Sequence, residues 1–490
     1  MMNRKSTLTL FVTIWFSFFT PASRGQATDW TQIRPTQLRP FHPETPKRIQ
    51  LLNGMVIFLQ EDHELPLIRS TTLIRGGSRD EPPNKIGLVQ IYAQVWRTGG
   101  TATRTGDELD DYLAARGAKI ETSSGVNTTN VAWDCLKDNF NDVFNIFREM
   151  LTQPEFRQDK VVLARNQLNT TISRRNENLF QIASREASKI VYGFDSPYAR
   201  VPEYDSVTSV SREDLLGWYR RHVHPNNTIL GIVGDFSTSA METKLRQVFE
   251  SWPRGPDAVK TQTTFQGPRP GIYFVQKDNV MSSAIEMVDL GTTRADPDYY
   301  AIEVFNHLFG GSMPSRLFSN IRTRKALAYA VNGGIGTEFA HPGMVRLFME
   351  TKSGATSAGI EAMNEEIEAL ATNPISLKEV TKAKDAILNS FVFRFDSKEK
   401  VLREQMTYEL HYYPLDSLER YRIGIANVTL SDVSRVAKRY IDKNRFAILV
   451  VGNAVDFDRP LSLFGSVTII DIAIPKPLGV STPSAVASKN

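Results

Sequence analysis

Hydrophobic positions recur along this chain in two registers. In GLVQIYAQVWRTGGT, from Gly87 to Thr101, they gather on one side of a helical repeat, so the segment reads as an amphipathic helix running into a glycine-rich turn. In NVAWDCL they alternate, with Val131, Trp133 and Cys135 on one side, and the longer stretch AKIETSSGVNTTNVAWDCL alternates enough to form paired strands. Short apolar runs closed by glycine, such as TILGIVG ending at Gly234, predict buried strands.

The pattern occurs twice. SREDLLGWYRRHVHPNNTILGIVGDFS, from Ser211, matches TLSDVSRVAKRYIDKNRFAILVVGNAVDF, from Thr429, with Asp214 on Asp432, His222 on Tyr440, Asn226 on Asn444 and Gly234 on Gly452. Each copy predicts a helix opened by a Ser or Thr cap, a polar turn and a buried strand. LIRGGSRDEP, from Leu73, matches VDLGTTRADP, from Val288, and KVVLARNQL, from Lys160, matches EVTKAKDAI, from Glu379. Strands cluster in groups and are not threaded singly between helices. This predicts an α+β fold of two similar halves, each a mostly antiparallel sheet packed with helices. The expected boundaries are residues 29–250 and 272–474, joined by an extended Pro-, Gly- and Thr-rich linker at 251–271, with a disordered tail at 475–490.

Composition narrows the setting. The 490 residues are 41% hydrophobic and 23% charged, which suits globular protein of about two to four domains. A net charge of +4 over this length argues against a nucleic-acid or anionic-membrane partner. The opening residues carry Arg4 and Lys5, an apolar run from Leu8 to Phe19, and then Pro21, Ala22, Ser23 and Gly25. This is the layout of a secretory signal peptide at 1–25, cut between Ala22 and Thr28, with an uncleaved anchor as the alternative. It places the mature chain outside the cytoplasm, secreted to the periplasm. Cys135, the single cysteine, rules out an internal disulfide and reads as a buried core residue, with a nucleophile as the alternative.

Candidate chemistry is sparse. Of the seven histidines only His222 and His224 are closely spaced; on a strand they would share a face and could ligate metal, but they sit before Pro225 at a helix end. GGS at 310–312 and GGIG at 333–336 lack the phosphate-binding pattern and read as turns.

EDHELPLIRSTTLIRGGSRDEP, GGTATRTGDELDDYLAARGAKIETSSG, RRHVHPNNTILGIVGDFS and GGSMPSRLFSNIRTRKALAYAV, in this order over two repeats, resemble the pitrilysin/insulinase/mitochondrial processing peptidase family in its bacterial two-half form. The resemblance covers about Gln50 to Phe457 and implies a processing-peptidase-like metallohydrolase fold. Active members carry H-x-x-E-H on the helix that follows a Gly-Leu pair. Two histidines at i and i+4 share a zinc, and the glutamate between them deprotonates its water. Setting Gly87-Leu88 on that pair puts Gln90 and Gln94 at the histidine positions and Ala93 at the base. The third ligand falls at Thr171, with Thr170 beside it and Glu177 the nearest acid. Glutamine is a poor zinc ligand and alanine moves no proton, so no zinc is expected on this chain.

Some bacterial members of the family work as two different subunits, one with zinc and one without, the latter reaching the partner's site with an arginine and a tyrosine. The resemblance therefore implies Arg316 and Tyr329 as groups that would donate hydrogen bonds to a substrate carbonyl and its oxyanion. The competing readings are a core tyrosine sharing a strand face with Leu327 and Val331, and an arginine in an ordinary surface ion pair. The expected function is the zinc-free subunit of a heterodimeric metalloendopeptidase acting on unfolded peptides, inactive alone, with zinc held by a homologous partner subunit. The edge strand in the AKIETSS segment would accept peptide by strand addition. The alternative is a non-catalytic peptide-binding or scaffold protein of the same fold.

Overall fold

The computed structural model describes residues 43–258 and 263–476. The expected signal peptide, and all of the expected tail beyond residue 476, lie outside the described residues.

In the first half, β1 (Lys47–Gln50), β2 (Val56–Glu61), β3 (Leu67–Arg75), β4 (Lys119–Ser124), β5 (Thr128–Leu136) and β6 (Thr228–Gly234) form one sheet. Its order is β1-β2-β6-β3-β5-β4, antiparallel except where β2 runs beside β6. Helices α1 (Leu88–Thr98), α2 (Gly106–Ala114), α3 (Phe140–Thr152), α4 (Gln158–Arg174), α5 (Leu179–Tyr192), α6 (Tyr204–Thr208), α7 (Arg212–His222) and α8 (Thr238–Phe249) accompany it. The alternation read in NVAWDCL sends Val131, Trp133 and Cys135 into a core shared with Tyr92 and Trp96 of α1, Phe144 and Phe147 of α3 and Leu215 of α7. Cys135 is therefore structural, and burial pushes its thiol up to about 12.

The second half repeats the plan. β7 (Gly271–Gln276), β8 (Ser282–Leu290), β9 (Thr292–Thr293), β10 (Ala328–Glu338), β11 (Pro342–Lys352), β12 (Ala447–Gly452) and β13 (Val467–Ile469) lie in the order β13-β7-β12-β8-β11-β10-β9. Its five inner strands, β7-β12-β8-β11-β10, follow the same route as β2-β6-β3-β5-β4. The helices are α9 (Tyr299–Phe309), α10 (Thr356–Thr372), α11 (Leu377–Ser390), α12 (Lys398–Leu410), α13 (Ser417–Asn427) and α14 (Leu430–Tyr440). The repeat was readable because its capping chemistry is duplicated. Ser211 and Asp214 cap α7 reciprocally, Thr429 and Asp432 cap α14 the same way, and each helix leads into a strand buried along its whole length.

The halves exchange helices. α5 packs on β8 and β12 of the second sheet through Ile182, Ala183, Ala187 and Val191. Reciprocally, α12 lays Leu402 and Met406 on Val56, Phe58, Ile229 and Val233 of the first sheet. Gly231 in the middle of β6 makes this approach close, since a Cβ there would stand 2.2 Å from the Met406 sulfur.

Gly333 to Gly336, expected as a turn, lie inside β10. The reason is the closeness of α9: a Cβ on Gly334 would meet Asn306 Oδ1 at 2.8 Å. Asn306 accepts from the Ile335 N–H at 2.7 Å and donates to its carbonyl at 2.9 Å. Among the described residues no helix is long and apolar enough to cross a membrane.

Candidate functional site

Helix α1 starts at Gly87, whose φ of 100° is a left-handed conformation that favours glycine. The Gly87 and Val89 N–H groups donate to the carboxylate of Glu81, the latter at 2.7 Å. Glu81 is buried, and desolvation outweighs these bonds and nearby Arg200, raising its pKa to about 7. From this anchored start, α1 buries Leu88, Ile91, Tyr92, Val95 and Trp96 and turns Gln90 and Gln94 outward, with the Ala93 methyl buried between them.

The outward face meets β4. The Thr122 hydroxyl donates to the Ala93 carbonyl at 2.5 Å, and a pocket of about 280 Å³ opens between helix and strand. Gln90, Gln94, Thr98, Thr122 and Ser124 line it, with Glu121 its one carboxylate. β4 ends the sheet order, so its outer edge pairs with no strand among the described residues. Free backbone groups beside amides and hydroxyls can hold an extended peptide main chain.

The donors present do not fit zinc. Gln94 gives its amide to Gln167 of α4, so that helix meets α1 one turn before Thr171. Thr171 is exposed and returns its hydroxyl to the Gln167 carbonyl at 3.2 Å, as Thr170 does to Asn166 at 3.0 Å. Glu177 lies beyond α4 in an exposed pair with Arg174. Neutral amides, a methyl and hydroxyls turned back on their own helix supply neither a thiolate, an imidazole nor a base. Among the described residues no group of three His, Cys, Asp or Glu side chains is placed to hold a metal. His222 stacks on Trp218 at 4.0 Å, and burial lowers it to about 4.

In the second half three irregularities fall within a dozen residues. A π-helical turn runs from Phe318 to Arg324, Ala326 takes a φ of 52°, and β10 carries a bulge. Ala328 pairs with Thr351 and Ala330 with Glu350, so Tyr329 is the extra residue of that bulge. This turns Tyr329 out to 77% exposure, away from the strand face with Leu327 and Val331 that plain alternation suggests. Arg316 is placed differently. It grips Glu379 with Nε at 2.7 Å and Nη2 at 3.0 Å, and donates to the carbonyls of Asn373 at 2.8 Å and Pro374 at 3.3 Å. The guanidinium holds the Glu379 carboxyl down at about 2, and the pair braces the start of α11, where Glu379 also completes the cap with Ser376.

Of the cations this segment leaves exposed, Arg324 and Arg322 form no ion pair among the described residues, and the one that lies over a ring is Arg322. It sits in the π turn 4.8 Å over the Phe318 ring. Sequence reasoning passed over it, as it passed over Gln167. The signal available for Arg322 was its place in a run of polar residues just before the strand that carries Tyr329. Arg316, by contrast, lies between the buried Ser315 and Leu317.

Residues 56–196 match the family described as insulinase (peptidase family M16), and residues 209–387 match the one described as peptidase M16 inactive domain. An uncharacterized zinc protease of Streptomyces coelicolor is 21% identical over 422 residues, 84% of this chain and 90% of that protein. A Helicobacter pylori protein named as a non-peptidase homolog is 18% identical over 402 residues, 81% of this chain and 91% of that protein. The crystal structure of a peptidase M16 inactive domain from Pseudomonas fluorescens shares the fold with a TM-score of 0.77 at 20% identity, covering 85% of this chain and 100% of that one.

Proposed function

Because the chain belongs to the insulinase family, peptidase family M16, and carries Gln90, Ala93 and Gln94 where that family's zinc motif stands, we propose that it is the metal-free subunit of a two-chain metalloendopeptidase acting on unfolded peptides. The observation that carries this reading is the pairing of a lost metal set with a retained peptide-binding arrangement: the open β4 edge beside the amide- and hydroxyl-lined pocket of α1.

In this reading the second half serves the zinc of a homologous subunit. Tyr329, thrust out by its bulge, and the exposed Arg322, with Arg324 beside it, are free to donate hydrogen bonds to a polarised carbonyl and to the oxyanion formed when water attacks it. Arg316 keeps their segment in place through Glu379. The test uses the purified chain alone and mixed with a zinc-bearing relative from the same cell, measuring bound zinc and cleavage of an unstructured peptide. Cleavage only by the mixture, lowered by Tyr329→Phe and Arg322→Ala without loss of assembly, supports the reading. Stoichiometric zinc and cleavage by the lone chain overturn it.

A scaffold role without chemistry is the second reading, and the internal commitment of Arg316 favours it. It is distinguished by variants of Tyr329 and Arg322 that leave turnover of the mixture unchanged.

A further inference from the structure

A cavity of about 60 Å³ lies where the start of α9, the turn between β10 and β11, α12 and α13 meet, on the opposite half from the degenerate metal helix. At roughly 10–15 Å³ for each water-sized occupant, it takes about four to six such groups. Aromatic rings wall it, chiefly those of Tyr299, Tyr300, Phe339, Phe395, Tyr408 and Tyr421.

Two guanidinium groups enter this aromatic box without an acceptor. Arg294 lies 4.1 Å over the Phe339 ring and 5.7 Å from that of Tyr299, and its Nε is buried with no hydrogen-bond partner. Arg394 lies 5.2 Å over Tyr421 and 5.9 Å from Phe395 at the solvent-exposed side of the box, and its side chain makes neither a hydrogen bond nor an ion pair among the described residues. Ring faces offset part of the charge. They do not accept in-plane N–H groups, so the buried Arg294 Nε–H is left unpaired while the Arg394 N–H groups face solvent. Of the carboxylates close by, Glu303 accepts from Tyr421 at 3.0 Å, and neither Glu303 nor Glu404 forms an ion pair with Arg294 or Arg394, although both favour the charged form of Arg394 from a distance.

We infer that this cavity is a binding site for a carboxylate on a short apolar stem, its oxygens taken by Arg294 and Arg394 and its stem laid against the rings. The two guanidiniums disfavour a cation. Glu303 and Glu404 disfavour a dianion such as phosphate, so a single negative charge is what the box accepts. The size admits the carboxylate and its first carbons, with anything longer emerging to solvent. Both a small free acid and the C-terminus of a peptide present this chemistry. The inference rests on the cavity alone and stands or falls apart from the metalloendopeptidase reading.

The experiment is saturation-transfer NMR on the full chain with propionate, propionamide and inorganic phosphate, followed by an unstructured decapeptide with a free or an amidated C-terminus. Propionate is expected to bind saturably, at least tenfold tighter than propionamide or phosphate, and Arg394→Gln or Arg294→Gln to abolish that preference. A preference of the decapeptide for its free carboxyl form, competed by propionate, assigns the site to peptide ends. Indifference of the decapeptide with propionate still bound assigns it to small acids. Equal binding of acid and amide by the unaltered chain, or no binding of either, overturns the proposal without reliance on any variant's folding. Lowered thermal stability in the variants with the acid preference intact also overturns it, leaving the guanidiniums as stacking groups only.

Discussion

Met406→Ala tests the helix exchange directly, because it alters the second half of the chain and should be felt in the first. Met406 is fully buried and rests on Val56, Phe58, Ile229 and Val233 of the first sheet. Truncating such a side chain costs about 2–5 kcal/mol, taken here as roughly 3 for a residue at a helix–sheet seam. All six tryptophans, at 15, 30, 96, 133, 218 and 252, precede the second half, so intrinsic fluorescence reports the first half alone. In urea, with a slope of about 3 kcal/mol per molar for a unit of this size, the fluorescence midpoint should fall by about 1 M. Gly231→Ala supplies a second handle, since its methyl collides with the Met406 sulfur in the unaltered chain but enters vacated space in the Met406→Ala background. The double variant should therefore be more stable than the sum of the singles by about 1–3 kcal/mol. A fluorescence midpoint unmoved by Met406→Ala, or strict additivity in the cycle, refutes the packing argument.

The other predictions concern the site's supports. Glu81, with its folded value near 7, ionises first in the unfolded chain. Stability should therefore decline by up to about 3 kcal/mol as pH rises from about 4.5 to 7, and chemical denaturation of Glu81→Gln should show that slope flattened. Arg316→Ala should cost about 2 kcal/mol at neutral pH by taking the arginine partner from Glu379, which keeps only its Ser376 cap. Because the carboxyl is depressed to about 2, the deficit should shrink as pH falls from about 4.5 towards that value and the unaltered chain loses the same pair. Tyr329→Phe, at an exposed bulge, should leave the melting curve within about 0.5 kcal/mol of the parent. If the hydroxyl serves an oxyanion in the assembled enzyme, turnover should fall by about a hundredfold or more.

What could be read from the sequence follows what is local. Ser211 with Asp214 and Thr429 with Asp432 declare helix starts within four residues, and wholly apolar runs ending in glycine declare buried strands, so the duplication and the α+β class were legible. The loss of the metal set was equally local, since Gln90, Ala93 and Gln94 sit on one helix. The partners of Arg316 and Gln94 were out of reach because they come from other helices: Glu379 is 63 residues away and Gln167 is 73. Amphipathic patterning gives α12 an apolar face without saying which sheet it covers. Period-2 alternation cannot anticipate a bulge, and that is why the competing reading of Tyr329 as a core residue arises although the side chain stands exposed.

The reciprocal crossing of α5 and α12 also sets an order of events at the ribosome. The first sheet is complete in sequence at Gly234, but the helix that covers its second face starts only at Lys398. At about 5–20 residues per second, the intervening stretch takes roughly 8–35 s to synthesise. During that interval Val56, Phe58, Ile229 and Val233 have no native cover. A chain truncated before α12 leaves an apolar sheet face bare where the full chain has a seam.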